Sequence, residues 1–135
     1  MVLTSTTQKE VWGKHAIIDA TGCDYEAIRN INWIEDFVDE LIFKTKMKKW
    51  GKMFSMYLAP DNDNTLNDTA GWSVCQFITT SNITIHFAET SKSLYLDFFS
   101  CKDFNNNDVV ELVRKYFTPS KITTRFIERD ALSPT

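Results

Sequence analysis

The chain has 135 residues, of which 43% are hydrophobic and 24% are charged, and its formal net charge is −3 at pH 7. This size and composition are typical of one soluble globular domain that buries its own core. Acidic and basic residues are interspersed, so the sequence predicts no charged surface that would favour nucleic acid or a membrane.

The number and spacing of the cysteines indicate the cellular compartment and argue against a metal site. Cys23, Cys75 and Cys101 lie far apart with no C-x-x-C spacing, and the chain has only two histidines. An odd number of cysteines argues against a disulfide framework, and this set makes a poor zinc site. No apolar run approaches the roughly 18 residues of a membrane span, and the polar N-terminal residues do not resemble a signal peptide. We therefore expect a cytoplasmic protein without a metal, a membrane contact or a nucleic-acid partner.

The first predicted elements are a strand and a long helix. Residues 14–20 (KHAIIDA) predict a short, largely buried strand. Asp24 can cap the following helix, whose apolar side chains recur every three or four residues and form one stripe. The stripe comprises Ile28, Ile31, Ile34, Phe37, Val38, Leu41 and Ile42. Gly51 is expected to end this helix after Trp50.

Four strands are predicted next. They cover residues 52–59, 71–80, 79–89 and 94–100. A polar turn segment separates the first strand from the second. The second and third strands meet in a cluster of hydroxyl side chains. In the third (TTSNITIHFAE), apolar and polar residues alternate, which places one set on each face of a strand. Its polar face carries His86.

A second helix and a last strand complete the pattern β-α-β-β-β-β-α-β. The helix is predicted over residues 108–117 and the strand over 121–129. Because most strand connections are hairpin-length, we predict an α+β fold, a two-layer sandwich with two helices on one face of a mostly antiparallel sheet. The strands carry more large apolar groups than two helices cover, which favours self-association through the open face. These groups are Met53, Met56, Tyr57, Trp72, Phe77, Phe98 and Phe99.

Four polar side chains on neighbouring strands are candidates for chemistry. Taken singly, Ser81 is typical of a turn, His86 of a half-buried structural histidine, Cys101 of a small apolar residue and Ser73 of a tolerated strand residue. Adjacent antiparallel strands bring such groups to about 5 Å between backbones, within reach of nucleophile and base. Spacing alone does not show that they converge. Gly71 lies in no G-x-S-x-G setting, and no glycine-rich phosphate loop is present.

Three segments carry a family pattern: 13–24 (GKHAIIDATGCD), 72–89 (WSVCQFITTSNITIHFAE) and 96–101 (LDFFSC). Together they resemble the short, prokaryotic-type S-adenosylmethionine decarboxylases. In that family a GKH-hydrophobic-D-x-x-GCD strand is followed by G-x-S-x₅-A-E-S-H-x-S-I-H and then by D-x-F-T-C. The order and spacing match from about Gly13 to Arg129.

The resemblance implies a single domain, residues 1–135, that makes its own pyruvoyl cofactor by cleavage between Thr80 and Ser81. Ser81 would attack the preceding carbonyl to give an ester. A β-elimination would then separate residues 1–80 from residues 81–135 and leave a pyruvoyl group on the second fragment. The pyruvoyl carbonyl would condense with the substrate amine and accept the electrons released by decarboxylation.

The resemblance also implies a role for each candidate. Ser73, eight residues before Ser81, matches a serine that assists processing, and His86, five residues after it, matches the histidine that takes the proton in the elimination. Cys101 matches the cysteine that returns a proton to the substrate α-carbon. The implied reaction converts S-adenosylmethionine to S-adenosylmethioninamine, the aminopropyl donor for spermidine. Family members are homodimers of cleaved protomers with active sites at the interface.

Some positions depart from the family pattern. Thr80 and Asn82 stand where the family has Glu and His. Asn67 takes the place of the aromatic residue that stacks on adenine, and Glu89, the counterpart of a ribose-binding acid, lies three rather than four residues after His86. Asn67 and Glu89 are thus the candidate substrate-binding residues. Two alternatives stay open: a pyruvoyl-dependent decarboxylase of arginine or ornithine, and an uncleaved relative that acts as a binding or regulatory subunit.

Overall fold

The computed structural model describes residues 11–60 and 67–132. Its strands form one antiparallel sheet in the order β2-β3-β4-β5-β1-β6. They are β1 (Gly13–Thr21), β2 (Phe54–Leu58), β3 (Gly71–Ile78), β4 (Ser81–Ala88), β5 (Ser93–Ser100) and β6 (Lys121–Arg129). The helices are α1 (Tyr25–Arg29), α2 (Ile31–Lys44) and α3 (Asn106–Phe117), with a 3₁₀ turn at Asn67–Thr69.

The helices bury one face of the sheet. The inward residues of β4, Ile83, Ile85 and Phe87, are nearly inaccessible, and they pack in the same core as the apolar stripe of α2. Phe37 of α2 and Phe117 of α3 meet with ring centroids 5.0 Å apart. The alternation in β4 and the stripe in α2 therefore hold as predicted. The α+β, two-layer sandwich is confirmed.

The prediction of one long helix is wrong in two places. It breaks at Asn30, whose backbone is extended (φ −98°, ψ 104°) and whose side chain accepts hydrogen bonds from the first amides of α2. It also ends at Lys44 rather than at Trp50. Thr45 caps the end with its hydroxyl 2.6 Å from the Leu41 carbonyl. Residues 48–50 instead hydrogen-bond the end of β3, a tertiary pairing that overrides helix propensity.

The other boundaries lie close to the predicted ones. β2 is shorter than predicted and begins at Phe54, while α3 begins at Asn106 behind an Asn105 cap. Residues 61–66 of the predicted polar turn segment lie outside the described residues. Within the described ranges, no helix is long and apolar enough to cross a membrane.

The face of the sheet opposite the helices carries exposed apolar side chains, as predicted, but only part of the predicted set lies there. Phe98 is fully buried under the helices and Met53 nearly so, while Tyr57 and Trp72 also turn to the helix side. The exposed groups on the open face include Phe54, Met56, Leu58, Phe77 and Tyr95. Sequence alternation alone did not say which side of β2 faces the helices.

Replacing Asn30 by Ala tests the break between α1 and α2. The Asn30 side chain accepts from the amides of Asn32 and Trp33 at 3.0 and 3.1 Å. We expect Asn30→Ala to lower the free energy of unfolding by about 1 kcal/mol, the usual loss for such a cap. The control is Asn32→Ala, an exposed helical position, which should leave stability unchanged or slightly raised. Equal effects of the two substitutions in urea unfolding would contradict the cap.

Candidate functional site

Ser73 and His86 form a hydrogen-bonded pair on the open face. The two residues lie directly opposite each other in the β3–β4 ladder. Ser73 Oγ is 2.7 Å from His86 Nδ1. The pairing follows from a tight hairpin turn at Thr79 and Thr80, which sets the register of the two strands. The structure thus brings together the predicted assisting serine and the predicted base.

The second ring nitrogen of His86 has no hydrogen-bond partner among the residues that the structure describes. Nε2 is buried and receives no hydrogen bond from the described part of the chain. A buried polar atom without a partner is costly, so a folded protein holds few of them, and a catalytic role is one reason for keeping such an atom. If Nδ1–H donates to Ser73, Nε2 carries the lone pair of a general base.

Ser81 has an unusual backbone conformation. It is the first residue of β4 and its φ is +148°. A residue other than glycine rarely adopts such a positive φ because its Cβ crowds the backbone. Such strain costs about 1–3 kcal/mol and persists only where surrounding contacts hold it. The strain adjoins the Thr80–Ser81 peptide bond, which is the predicted cleavage site.

The end of β5 contacts Thr80 at two points. The Cys101 N–H donates to the Thr80 carbonyl at 2.9 Å. The Ser100 hydroxyl donates to Thr80 Oγ1 at 2.8 Å. Cys101 also borders a cavity of about 220 Å³, which is lined by Val11, Gly13, Lys14, Ser100, Cys101, Lys102, Asp103 and Glu128. Cys101 therefore lies beside the predicted cleavage site and next to space for a small ligand.

The other two cysteines are poorer candidates for proton transfer. None of the three cysteines forms a disulfide bond. Burial raises the pKa of the Cys23 thiol to about 11 and also raises that of Cys75. A proton donor works best with a pKa near the operating pH, so burial disfavours both.

The structure does not bring all the candidates together within one chain. Ser81 begins the extended strand β4, and His86 lies five residues further along the same strand. Five residues at roughly 3.3 Å each separate their backbones by about 16 Å. The chain therefore carries two separate groups of candidate residues, called half-sites below, one around Ser73 and His86 and one around Thr80, Ser81 and Cys101.

Glu89 is engaged on the helix side of the sheet. Its carboxylate is 4% exposed and accepts hydrogen bonds from Tyr57 OH at 2.9 and 3.1 Å and from Arg29 Nε at 3.4 Å. Burial, and then the hydrogen bond to Glu89, raise the pKa of Tyr57. Because Glu89 lies three residues after His86, it falls on the opposite face of β4. Its predicted role in substrate binding stays a prediction.

Asn67 lies in the same corner as Glu89. It begins the 3₁₀ turn, and its backbone carbonyl accepts from the Thr90 hydroxyl at 2.9 Å. The Glu89 amide in turn donates to the Ala70 carbonyl at 2.9 Å. The two predicted substrate-binding residues are thus neighbours at the end of the β3–β4 pair where His86 also lies, with the Glu89 carboxylate turned to the helix side. Sequence reasoning missed Tyr57 and Arg29, which are 32 and 60 residues from Glu89 and form no local motif.

The second histidine lies in a different cluster on the open face. His15 Nε2 is 2.9 Å from Asp97 Oδ1, and the ring meets Phe99 edge-on. Arg129 lies over the other side of this cluster, 4.6 Å from the Phe99 ring centroid. His15 is therefore paired with Asp97 and does not contribute to the group around Ser81. Within the described ranges, no group of three or more His, Cys, Asp or Glu residues could hold a metal ion.

Comparison with known proteins points to one family. The family model described as S-adenosylmethionine decarboxylase matches residues 14–130. Two relatives from Clostridium botulinum, strains Langeland (NCTC 10281, type F) and Okra (type B1), are named S-adenosylmethionine decarboxylase proenzyme. Each is 25% identical over 118 residues, which cover 87% of this chain and 93% of the relative.

A solved structure has the same fold. The crystal structure of the adenosylmethionine decarboxylase from Aquifex aeolicus VF5 superposes with a TM-score of 0.76 at 16% identity, over 94% of this chain and 98% of that one. At this identity the likeness concerns the fold alone. The family match extends from Lys14, next to the Cys101 cavity, to Asp130 and includes both half-sites. The chain belongs to the S-adenosylmethionine decarboxylase family.

Proposed function

We propose that this protein is a self-processing decarboxylase that cleaves its own chain between Thr80 and Ser81 and then converts S-adenosylmethionine to S-adenosylmethioninamine, the aminopropyl donor for spermidine. The observation that carries the proposal is the Thr80–Ser81 peptide. Its carbonyl accepts the Cys101 N–H, and the following serine is strained at φ +148°.

In the first step Ser81 Oγ attacks the carbonyl carbon of Thr80. Negative charge develops on the carbonyl oxygen, where the Cys101 N–H lies 2.9 Å away and stabilises it. Collapse of this species breaks the amide bond, the Ser81 nitrogen takes a proton, and an ester joins the two halves. Release of the backbone strain at Ser81 offsets part of the cost of replacing an amide by an ester.

In the second step His86 acts as a general base. Nε2 accepts the α-proton of the Ser81 ester, the electrons form the Cα–Cβ double bond, and the Thr80 carboxylate leaves. Hydrolysis of the resulting dehydroalanine releases ammonia and leaves a ketone on the new N-terminus. Ser73 orients the ring through its 2.7 Å contact with Nδ1.

The residues around Ser81 fit a pyruvoyl group formed in this way. His86 offers an unpartnered nitrogen for the elimination, and Cys101, whose N–H contacts the Thr80 carbonyl, borders a cavity of about 220 Å³. When present, the pyruvoyl group supplies an electron sink for the pair released as carbon dioxide departs. Cys101 Sγ then donates a proton to the α-carbon of the substrate.

A homodimer would complete this site. Because about 16 Å of strand separates His86 from Ser81 in one chain, the histidine must come from a second copy. The open face carries both the Ser73–His86 pair and the exposed apolar groups of β2. Packing of two open faces about a two-fold axis would bury those groups and exchange the half-sites between protomers.

His86→Ala should fold and stop after the first step. Without a base near neutral pH the Ser81 α-proton stays in place, so the chain holds an ester between Thr80 and Ser81. Hydroxylamine should split that ester into residues 1–80 and 81–135, with serine rather than a pyruvoyl group opening the second fragment in mass spectrometry. Thr84→Val, on the same face of β4, serves as the control and should mature normally. Wild-type maturation of His86→Ala would make the histidine structural.

Ser81→Ala should remain one full-length chain, because it lacks the nucleophile.

Co-expression of tagged Ser81→Ala with His86→Ala tests the shared site. A mixed dimer contains one complete pair, Ser81 from one chain and His86 from the other, so the His86→Ala chain should mature while the Ser81→Ala chain stays intact. If neither variant is cleaved when the two are co-expressed, the proposal of a site shared between two chains is wrong. If wild-type protein is wholly uncleaved, the decarboxylase itself is contradicted and the uncleaved binding subunit is favoured.

Cys101→Ala should be cleaved normally, because the backbone N–H that contacts Thr80 is retained. Release of carbon dioxide from S-adenosylmethionine should fall by about 10²–10⁴-fold, the usual contribution of a general acid. Cys75→Ala removes another partly buried thiol and should keep its activity. Unchanged turnover in Cys101→Ala would place the proton donor elsewhere. Parallel assays with arginine and ornithine distinguish the substrates.

A further inference from the structure

The hydroxyl groups of Thr80 and Ser100 form a clamp beside the cleavage site. We propose that this clamp holds the Thr80–Ser81 peptide in its strained conformation and so sets the rate of self-cleavage. The inference rests on the proposed self-processing and assigns positioning roles to the side-chain hydroxyls of Thr80 and Ser100, neither of which forms or breaks a bond in that reaction.

The hairpin turn explains why the strain falls on Ser81. Ile78 and Ser81 are paired, so Thr79 and Thr80 form a two-residue loop. Such loops favour turns in which the loop residues have positive φ. β-Branched threonines resist that conformation, and neither Thr79 nor Thr80 adopts it. The positive φ occurs instead at Ser81, the first residue after the loop.

The hydroxyls of Ser100 and Thr80 belong to one hydrogen-bond network that also includes Met47 Sδ, 3.6 Å from Ser100 Oγ. The Lys102 amide donates to Ser100 Oγ at 3.0 Å, and Ser100 donates to Thr80 Oγ1 at 2.8 Å. Thr80 Oγ1 in turn lies 3.4 Å from Met47 Sδ, a weak acceptor. Each hydroxyl has one hydrogen, so this arrangement uses both hydroxyl donors. Ser100 is fully buried, which shields its hydrogen bond from water.

The clamp also fixes the orientation of the scissile peptide. The Thr80 side chain contacts Ser100 while its carbonyl contacts the next residue, Cys101, so one strand end holds both groups. On the other side, Ser81 is held by its place opposite Ser100 in the β4–β5 ladder. Rotation about the Ser81 N–Cα bond would relax the positive φ. With both neighbouring peptide planes held, this rotation is blocked.

The consequence is chemical as well as structural. The attack on the Thr80 carbonyl requires Ser81 Oγ to stay close to the carbon in a fixed approach, and a misplacement of about 1 Å can cost 10²-fold in rate. Loss of the clamp lets the peptide rotate away while the nucleophile, the base and the Cys101 N–H remain. The clamp therefore acts on the rate of cleavage without supplying a reacting group.

The test compares cleavage rates of chains made by cell-free translation and sampled over time on gels. Thr80→Val keeps the shape and branching of threonine but lacks the hydroxyl, and should cleave about 10- to 100-fold more slowly. Thr80→Ser restores the hydroxyl and should recover most of the rate. Thr79→Val, an exposed position in the same turn, is the matched control and should cleave at the wild-type rate.

Combining substitutions separates a clamp from independent effects. Ser100→Ala alone should slow cleavage, but in the Thr80→Val background it should add little, because the shared hydrogen bond is already lost. Fully additive slowing, or wild-type cleavage by Thr80→Val, would overturn the clamp while leaving self-processing intact. A wild-type chain that never cleaves would overturn both proposals.

Discussion

The site depends on the register of the β3–β4–β5 hydrogen-bond ladder. This register places Ser73 opposite His86 and Ser81 opposite Ser100. Side chains alternate along a strand, so a slip of one residue would turn His86 towards the core and break its contact with Ser73. The two-residue turn between β3 and β4 excludes such a slip. One backbone constraint thus fixes the partners of both half-sites.

The two faces of the sheet have different tasks. The helix side supplies stability through a continuous apolar core, in which Phe87 and Phe98 are fully buried. The open face keeps the Ser73–His86 pair among exposed apolar groups. Glu89 lies on the helix side, where Tyr57 and Arg29 satisfy its carboxylate. The Glu89 carboxylate therefore joins the end of α1 to strand β2 of the sheet.

The strain at Ser81 is maintained by contacts that do not themselves react. A positive φ at this residue would relax if its neighbours were free to turn. The Cys101 amide and the Ser100 hydroxyl both hold Thr80, and the buried position of Ser100 strengthens that hold. The side chain and the carbonyl of Thr80 are thus both held by the end of β5.

The sequence by itself determined the layers of the fold, the stripe of α2 and the alternation of β4, because side-chain periodicity reports directly on burial. Its motifs also singled out Ser73, Ser81 and His86, since the spacing of these residues along the chain can be read without knowing which of them are in contact. The break at Asn30, the partners of Glu89 and the contact of Ser100 with Thr80 were decided only by tertiary structure. Each of these joins segments whose meeting depends on packing and register, and local propensity does not encode such meetings.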